Sequence, residues 1–274
     1  MRSLVAVVML VLCLGTAPAR ADSPTYYLAL GDSGAVGVQA GRGPTDEGYT
    51  DVLHKALDQP GLQLVKLGCP GETTTTMLRG GICQYAAGSQ VDAALEFLRR
   101  HPGQVRYVTL SIGVNNVGCV LQGDPACGLR GVGSLLTELP QITGRLRAAG
   151  GATPAYASMT SYDPGLAAWV KGDRATAIAS VPLLDAFNTV QRAAALAHGF
   201  RVAEVNDAFA THDFSTTVAP PYGAVPVNVA RICTWTSQCT RGDGHANAAG
   251  YRQIAAAFLR VLGPRQSSHR AAAP

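Results

Sequence analysis

The sequence lacks most of the patterns that signal a metal, a nucleotide or an organic cofactor. It has no H-E-x-x-H, no P-loop and no G-x-G-x-x-G following an apolar run. It has no C-x-x-C pair, so its cysteines do not read as a zinc site. No metal and no cofactor is therefore implied. G-x-S-x-G is missing too, which argues against the nucleophile elbow of the α/β-hydrolases. Charge is sparse: Lys+Arg number 22 and Asp+Glu 18 in 274 residues. Lysine is scarce beside arginine, and no basic cluster forms. A net charge of +4 spread in this way argues against nucleic acid as a partner. Beyond the first 21 residues, no stretch is apolar for long enough to span a bilayer.

The first 21 residues stand apart. Arg2 is followed by an apolar run from Leu4 to Gly15, and Ala19-Arg20-Ala21 is a small-x-small cleavage pattern. Residues 1–21 are expected to be a secretory signal peptide, with the mature chain starting at Asp22 and exported to the extracellular space or cell wall. The run is short for a membrane anchor. Leu12 is too large to precede a lipid-bearing Cys13. Loss of Arg2 and Arg20 lowers the net charge from +4 to +2. Residues 22–263 are expected to form one domain, and 264–274 a disordered tail.

Six cysteines remain after cleavage: Cys69, Cys83, Cys119, Cys127, Cys233 and Cys239. An even number in an exported chain argues for disulfides, and six cysteines allow fifteen pairings. The sequence does not choose among them. The neighbour pairs Cys69–Cys83, Cys119–Cys127 and Cys233–Cys239 close the shortest loops, each adding roughly 2–3 kcal/mol in the chain-entropy picture.

Short apolar or β-branched runs alternate with helical stretches. Residues 26–30, 62–67, 105–112, 152–159 and 200–205 read as strands. Residues 49–57, 90–100, 132–149, 175–198 and 248–262 read as helices. Leu135, Leu139, Ile142 and Leu146 give the third helix one apolar stripe, with Pro140 marking a kink. This alternation predicts an α/β fold: a five-stranded parallel sheet with helices on both faces. Residues 206–241, rich in Pro, Thr and Val, read as a long loop of the kind that often covers a site.

In such sheets the ligand lies beyond the carboxyl ends of the strands. Ser33, Gly71 and Asn115 follow the first three strands, and His245 precedes the last helix. Ser33 is a candidate nucleophile and His245 its general base, histidine being the side-chain type best suited to take and return a proton. His212 is the rival base. The backbone N–H groups of Ser33 and Gly71 and the Asn115 amide are candidate donors to an oxyanion. Each residue alone is more simply a turn or a cap. Together they describe ester cleavage.

Four blocks carry a family likeness: Gly31-Asp32-Ser33, Gly71, Gly113-x-Asn115 and His245. The chain resembles the GDSL or SGNH hydrolases over essentially its whole mature length. Leu67-Gly68-Cys69-Pro70-Gly71-Glu72-Thr73-Thr74 and His245-Ala246-Asn247-Ala248-Ala249-Gly250-Tyr251 make it similar to secreted actinobacterial lipases and esterases with three disulfides. The resemblance implies a flavodoxin-like three-layer sandwich and a serine esterase or lipase acting on a small-molecule or lipid ester. Three positions depart from the pattern. Asn116 stands where Asp is usual, and Gly34 where a larger apolar residue is common. Gly242 stands where the acid that orients the histidine is usual, which leaves Asp243 or a backbone carbonyl for that role. These departures also leave open a non-catalytic acyl- or glycan-binding protein. The apolar loop from Phe209 to Val229 points to an acyl chain rather than a sugar.

Overall fold

The structure, a computed structural model, describes residues 24–263 except 123 and 220. The expected signal peptide and the tail from Pro264 lie outside the described residues.

Strand β1 (Thr25–Gly31) lies inside the sheet, next to its edge strand. Its side chains alternate between two cores: Tyr27 and Ala29 enter one, Leu28 and Leu30 the other, and all four are fully buried. A strand buried on both faces reads as a continuous apolar run, as Tyr27-Leu28-Ala29-Leu30 does. Strand β2 (Leu62–Lys66) pairs with one edge of β1 and β3 (Val105–Ser111) with the other. Strands β4 (Ala155–Met159) and β5 (Arg201–Ala203) follow, giving the order β2-β1-β3-β4-β5 with every pairing parallel. The expected α/β sandwich is the fold observed.

Helices α1 (Tyr49–Leu57) and α10 (Ala248–Leu262) cover one face, where Tyr49 stacks on Phe258 with ring centroids 4.9 Å apart. Helices α3 (Gln90–Arg100), α5 (Pro125–Gly150) and most of α6 (Arg174–Ala197) cover the other. Caps define the starts: Ser89 accepts the Asp92 N–H, and Asn247 accepts those of Ala249 and Gly250. Helix α5 begins earlier than the periodicity predicts, where the Asp124 side chain accepts the Cys127 N–H. Pro140 does not interrupt it. Leu135 and Leu139 before the proline and Ile142 and Leu146 after it stay on one buried stripe, which holds the helix against the sheet.

Residues 206–241 are not a long loop. They follow the start of α7 (Val205–Ala208) and include the hairpin of β6 (Thr217–Val218) and β7 (Val225–Pro226), then α8 (Val227–Trp235), β8 (Thr236–Ser237) and α9 (Gln238–Arg241). Phe209, Val225, Val229 and Ile232 are buried in the same core as Phe258. The expected covering loop is thus corrected to a packed wall, and its apolar residues do not lie waiting for an acyl chain. Its prolines hid the helix: Pro226 sits at the cap of α8, where a missing N–H costs nothing. Two short helices also escaped the periodicity, α2 (Thr74–Arg79) and α4 (Val114–Val117). The last strand, β9 (Asp243–Ala246), pairs with β8 and carries His245.

Truncating the stacked ring of α10 tests this packing. Phe258→Ala is expected to lower the unfolding free energy by about 3–5 kcal/mol in a denaturant titration. A loss below about 1 kcal/mol would show that α10 is not seated on the core as described.

Candidate active site

The chain leaves β1 through Gly31 at φ 136°, in the left-handed half of backbone space. A Cβ there would stand 1.9 Å from the Ser111 carbonyl oxygen, so only glycine fits between the two strands. Gln90, fully buried at the start of α3, grips the same residue from both sides: its Oε1 accepts the Gly31 N–H at 2.7 Å and its Nε2 donates to the Gly31 carbonyl at 2.9 Å. The Asp32 N–H donates to the Ser111 carbonyl at 2.9 Å. Ser33 is thereby held just past the end of the sheet, almost wholly buried.

The histidine arrives from the opposite end of the chain. His245 Nε2 lies 2.9 Å from Ser33 Oγ, and His245 Nδ1 lies 2.6 Å from Asp243 Oδ1. The same carboxylate oxygen accepts the His245 backbone N–H at 2.8 Å. With a proton on Nδ1 facing Asp243, Nε2 is left as the acceptor of the serine hydroxyl. Burial alone would raise the Asp243 carboxyl, but the His245 N–H and imidazole outweigh it and hold the group below its ordinary range. Gly242 turns the chain at φ 67°, and the acid that meets the imidazole is Asp243. The Tyr162 hydroxyl donates to the Gly244 carbonyl at 2.7 Å, and the Tyr251 hydroxyl donates to Val38 at 2.6 Å, fastening α10 to the serine loop.

Gly71 follows β2 in a turn at φ 82°, exposed to solvent. Among the described residues, the N–H groups of Ser33 and Gly71 meet no acceptor. Asn115, at the start of α4, donates from Nδ2 to the Glu72 carbonyl at 2.9 Å, which leaves its second amide proton available. The second and third blocks are therefore joined to each other. Glu72 also reaches the first through Gln90, whose Nε2 donates to its buried carboxylate at 2.9 Å. All three disulfides lie beside these blocks: Cys69–Cys83 spans Gly71, Cys119–Cys127 follows Asn115, and Cys233–Cys239 precedes Asp243.

Three other positions have different work. His212 pairs with Asp185 at the surface, at 2.9 Å, and has no bond to Ser33. Asn116 faces the buried Thr74, not the serine. Gly34 leaves room for its neighbours: a Cβ there would come within 3.3 Å of both the Asp32 carboxylate and the Ser111 hydroxyl. Gln90, Glu72 and Tyr162 were not singled out by the sequence pattern; Gln90 and Tyr162 hold the backbone of Gly31 and Gly244, and Glu72 holds the Gln90 amide.

Asp32 is a buried acid in the middle of this arrangement. Burial pushes its carboxyl up to about 6, against the opposing pull of the Gly34 N–H and His245. A carboxyl raised above its unfolded value makes the folded state less stable as pH rises through that interval. Asp32→Asn removes this titration and keeps the acceptor for Gly34. The stability of this variant relative to the parent is expected to rise by about 2–3 kcal/mol from pH 4 to pH 7, measured by denaturant unfolding. A difference independent of pH would contradict the buried, titrating acid.

A profile of the GDSL-like Lipase/Acylhydrolase family matches residues 29–253. Among solved structures, the fold is similar to an extracellular lipase from Streptomyces rimosus, at 20% identity and a TM-score of 0.53, covering 86% of this chain and 99% of that one. It is similar to phospholipase A1 from Streptomyces albidoflavus NA297, at 19% identity and 0.51, covering 88% and 98%. It is also similar to the acetylxylan esterase Axe2 from Geobacillus stearothermophilus, at 17% identity and 0.53, covering 88% and 95%. At these identities the likeness is one of fold. The comparison with curated proteins gave no match. With its family profile spanning all four sequence blocks, the chain belongs to the GDSL-like Lipase/Acylhydrolase family of ester hydrolases.

Proposed function

We propose that this protein is an exported serine esterase or lipase whose catalytic line is Ser33, His245 and Asp243. The observation that carries the proposal is the unbroken hydrogen-bonded path from the Asp243 carboxylate through the imidazole to the Ser33 hydroxyl, at 2.6 and 2.9 Å. A serine hydroxyl is a poor nucleophile until a neighbouring base takes its proton. His245 Nε2 stands where that proton must go. Ser33 Oγ attacks the ester carbonyl, and the imidazole carries the proton to the departing alkoxide. Asp243 holds the ring in its productive tautomer and offsets the charge of the imidazolium. Water, deprotonated by the same imidazole, then releases the acyl group from Ser33.

The negative oxygen formed in each step needs donors already in place. Ser33 N–H, Gly71 N–H and the outer proton of the Asn115 amide supply them. Removing one such donor typically costs about 10²–10³ in rate. Family membership, and the lipase, phospholipase and acetylxylan esterase that share the fold, support ester cleavage as the reaction class. Three disulfides and the N-terminal signal pattern support an extracellular location. Among the described residues, no helix is long and apolar enough to cross a membrane. The departures that favoured a non-catalytic binder lose their force: Asn116 is occupied by Thr74, and Asp243 contacts the imidazole in spite of Gly242.

Ser33→Ala is expected to lower kcat on a short-chain chromogenic ester by at least about 10⁴-fold. The melting temperature should stay close to that of the parent. Parent-like hydrolysis by the folded variant would reject the assignment.

A further inference from the structure

Glu138 is a buried carboxylate that the mechanism above does not use. It stands on the core-facing side of α5, 7% exposed, and among the described residues no cation pairs with it. Two hydroxyls satisfy it instead. Thr74 Oγ1 donates to Oε2 at 2.6 Å, and Thr75 Oγ1 reaches Oε1 and Oε2 at 3.0 and 2.8 Å. On its other side Thr74 meets Asn116. The Thr74 N–H donates to Asn116 Oδ1 at 3.0 Å, and Asn116 Nδ2 donates to Thr74 Oγ1 at 2.8 Å.

The directions of these bonds follow from proton counting. The Thr74 hydroxyl has one proton, and a carboxylate can only accept, so that proton goes to Glu138. The group at 116 must therefore donate to the Thr74 oxygen, and an amide does so. It must also accept the Thr74 N–H, which the same amide does through its oxygen. One end of the relay and its central threonine adjoin the segments that carry the proposed oxyanion donors. Asn116 is the next residue after Asn115, and Thr74 lies two residues after Glu72, whose carbonyl the Asn115 amide holds.

We propose that Glu138 and Asn116 are positioning residues that set the spacing of the Gly71 and Asn115 donors through Thr74. They work only as a matched pair, acceptor at 138 and donor at 116. The inference rests on the assignment of Gly71 and Asn115 as oxyanion donors. A carboxylate at 116 opposite Glu138 would leave two acids sharing one hydroxyl proton, and Thr74 would be pushed from one of them. Replacing Glu138 by glutamine at the same time reverses the relay. The hydroxyl then donates toward 116 and accepts from the amide at 138, so every group is again satisfied.

The test is a double-variant cycle of Asn116→Asp, Glu138→Gln and both together, with kcat, KM and melting temperature measured on a soluble short-chain ester. Asn116→Asp is expected to lower kcat by about tenfold or more with KM changed less than about threefold, since donors that act on the transition state move kcat. Adding Glu138→Gln is expected to bring kcat back to within about threefold of the parent, the non-additivity of coupled neighbours. If Asn116→Asp alone fails to fold, a folded and active double variant still supports the pairing. A double variant no better than Asn116→Asp, or a fall in melting temperature with kcat intact in all three, overturns it. Ser33→Ala and Asn115→Ala run alongside. Parent-like activity after either change sinks the underlying mechanism, whereas strongly impaired controls with no rescue sink only the pairing of 116 with 138.

Discussion

The hydrogen bond between Ser33 and His245 joins residues 212 positions apart in sequence, and the rest of the site is arranged around keeping it closed. A single such bond adds only about 0.5–1.5 kcal/mol net, far too little to hold two chain ends together. The geometry must come from elsewhere. On the serine side it comes from β1, the strand buried on both faces, and from Gln90, which pins Gly31 at the point where the strand ends. On the histidine side it comes from β9 paired to β8, with the Cys233–Cys239 disulfide next to it and α10 packed on the core. Tyr251 and Val38 bring the two halves together directly.

The arrangement holds groups in states the free chain would not favour. Gly31 is in a backbone conformation closed to other residues, and the Asp32 carboxyl is buried enough to be raised to about 6. Such features tend to gather where structure serves chemistry rather than stability. The compensation lies in two cores on either face of the sheet and in covalent links beside the second, third and last blocks. Glu72 ties the layers of the site together, its carboxylate held by Gln90 and its carbonyl by Asn115.

Much of the fold was legible in the sequence because its elements are strongly periodic. The bounds of α1, α3 and α10 were readable to the residue, and polar caps, Ser89 and Asn247, precede the last two. The family blocks at Ser33, Gly71, Asn115 and His245 were legible because their residue types are chemically restrictive in that order. The wall from Asn206 to Arg241 was not legible. Its prolines read locally as loop residues, and only the burial of Val225, Val229 and Ile232 in the same core as distant α10 makes this segment part of the wall. The positioning groups were hidden for a related reason. Glu138 interrupts the stripe of Leu135, Leu139 and Ile142, a visible anomaly, but its partners Thr74 and Thr75 are 64 and 63 residues away. No local pattern reports a contact at that distance.

The most direct measurement is covalent. A serine-reactive phosphonate ester should add one adduct to the folded protein, located by peptide mass mapping at Ser33. His245→Ala should slow that addition steeply, because the imidazole must take the hydroxyl proton as phosphorus is attacked. Rapid labelling at another serine, or labelling of Ser33 at an unchanged rate without the imidazole, would contradict the catalytic line from Asp243 to Ser33.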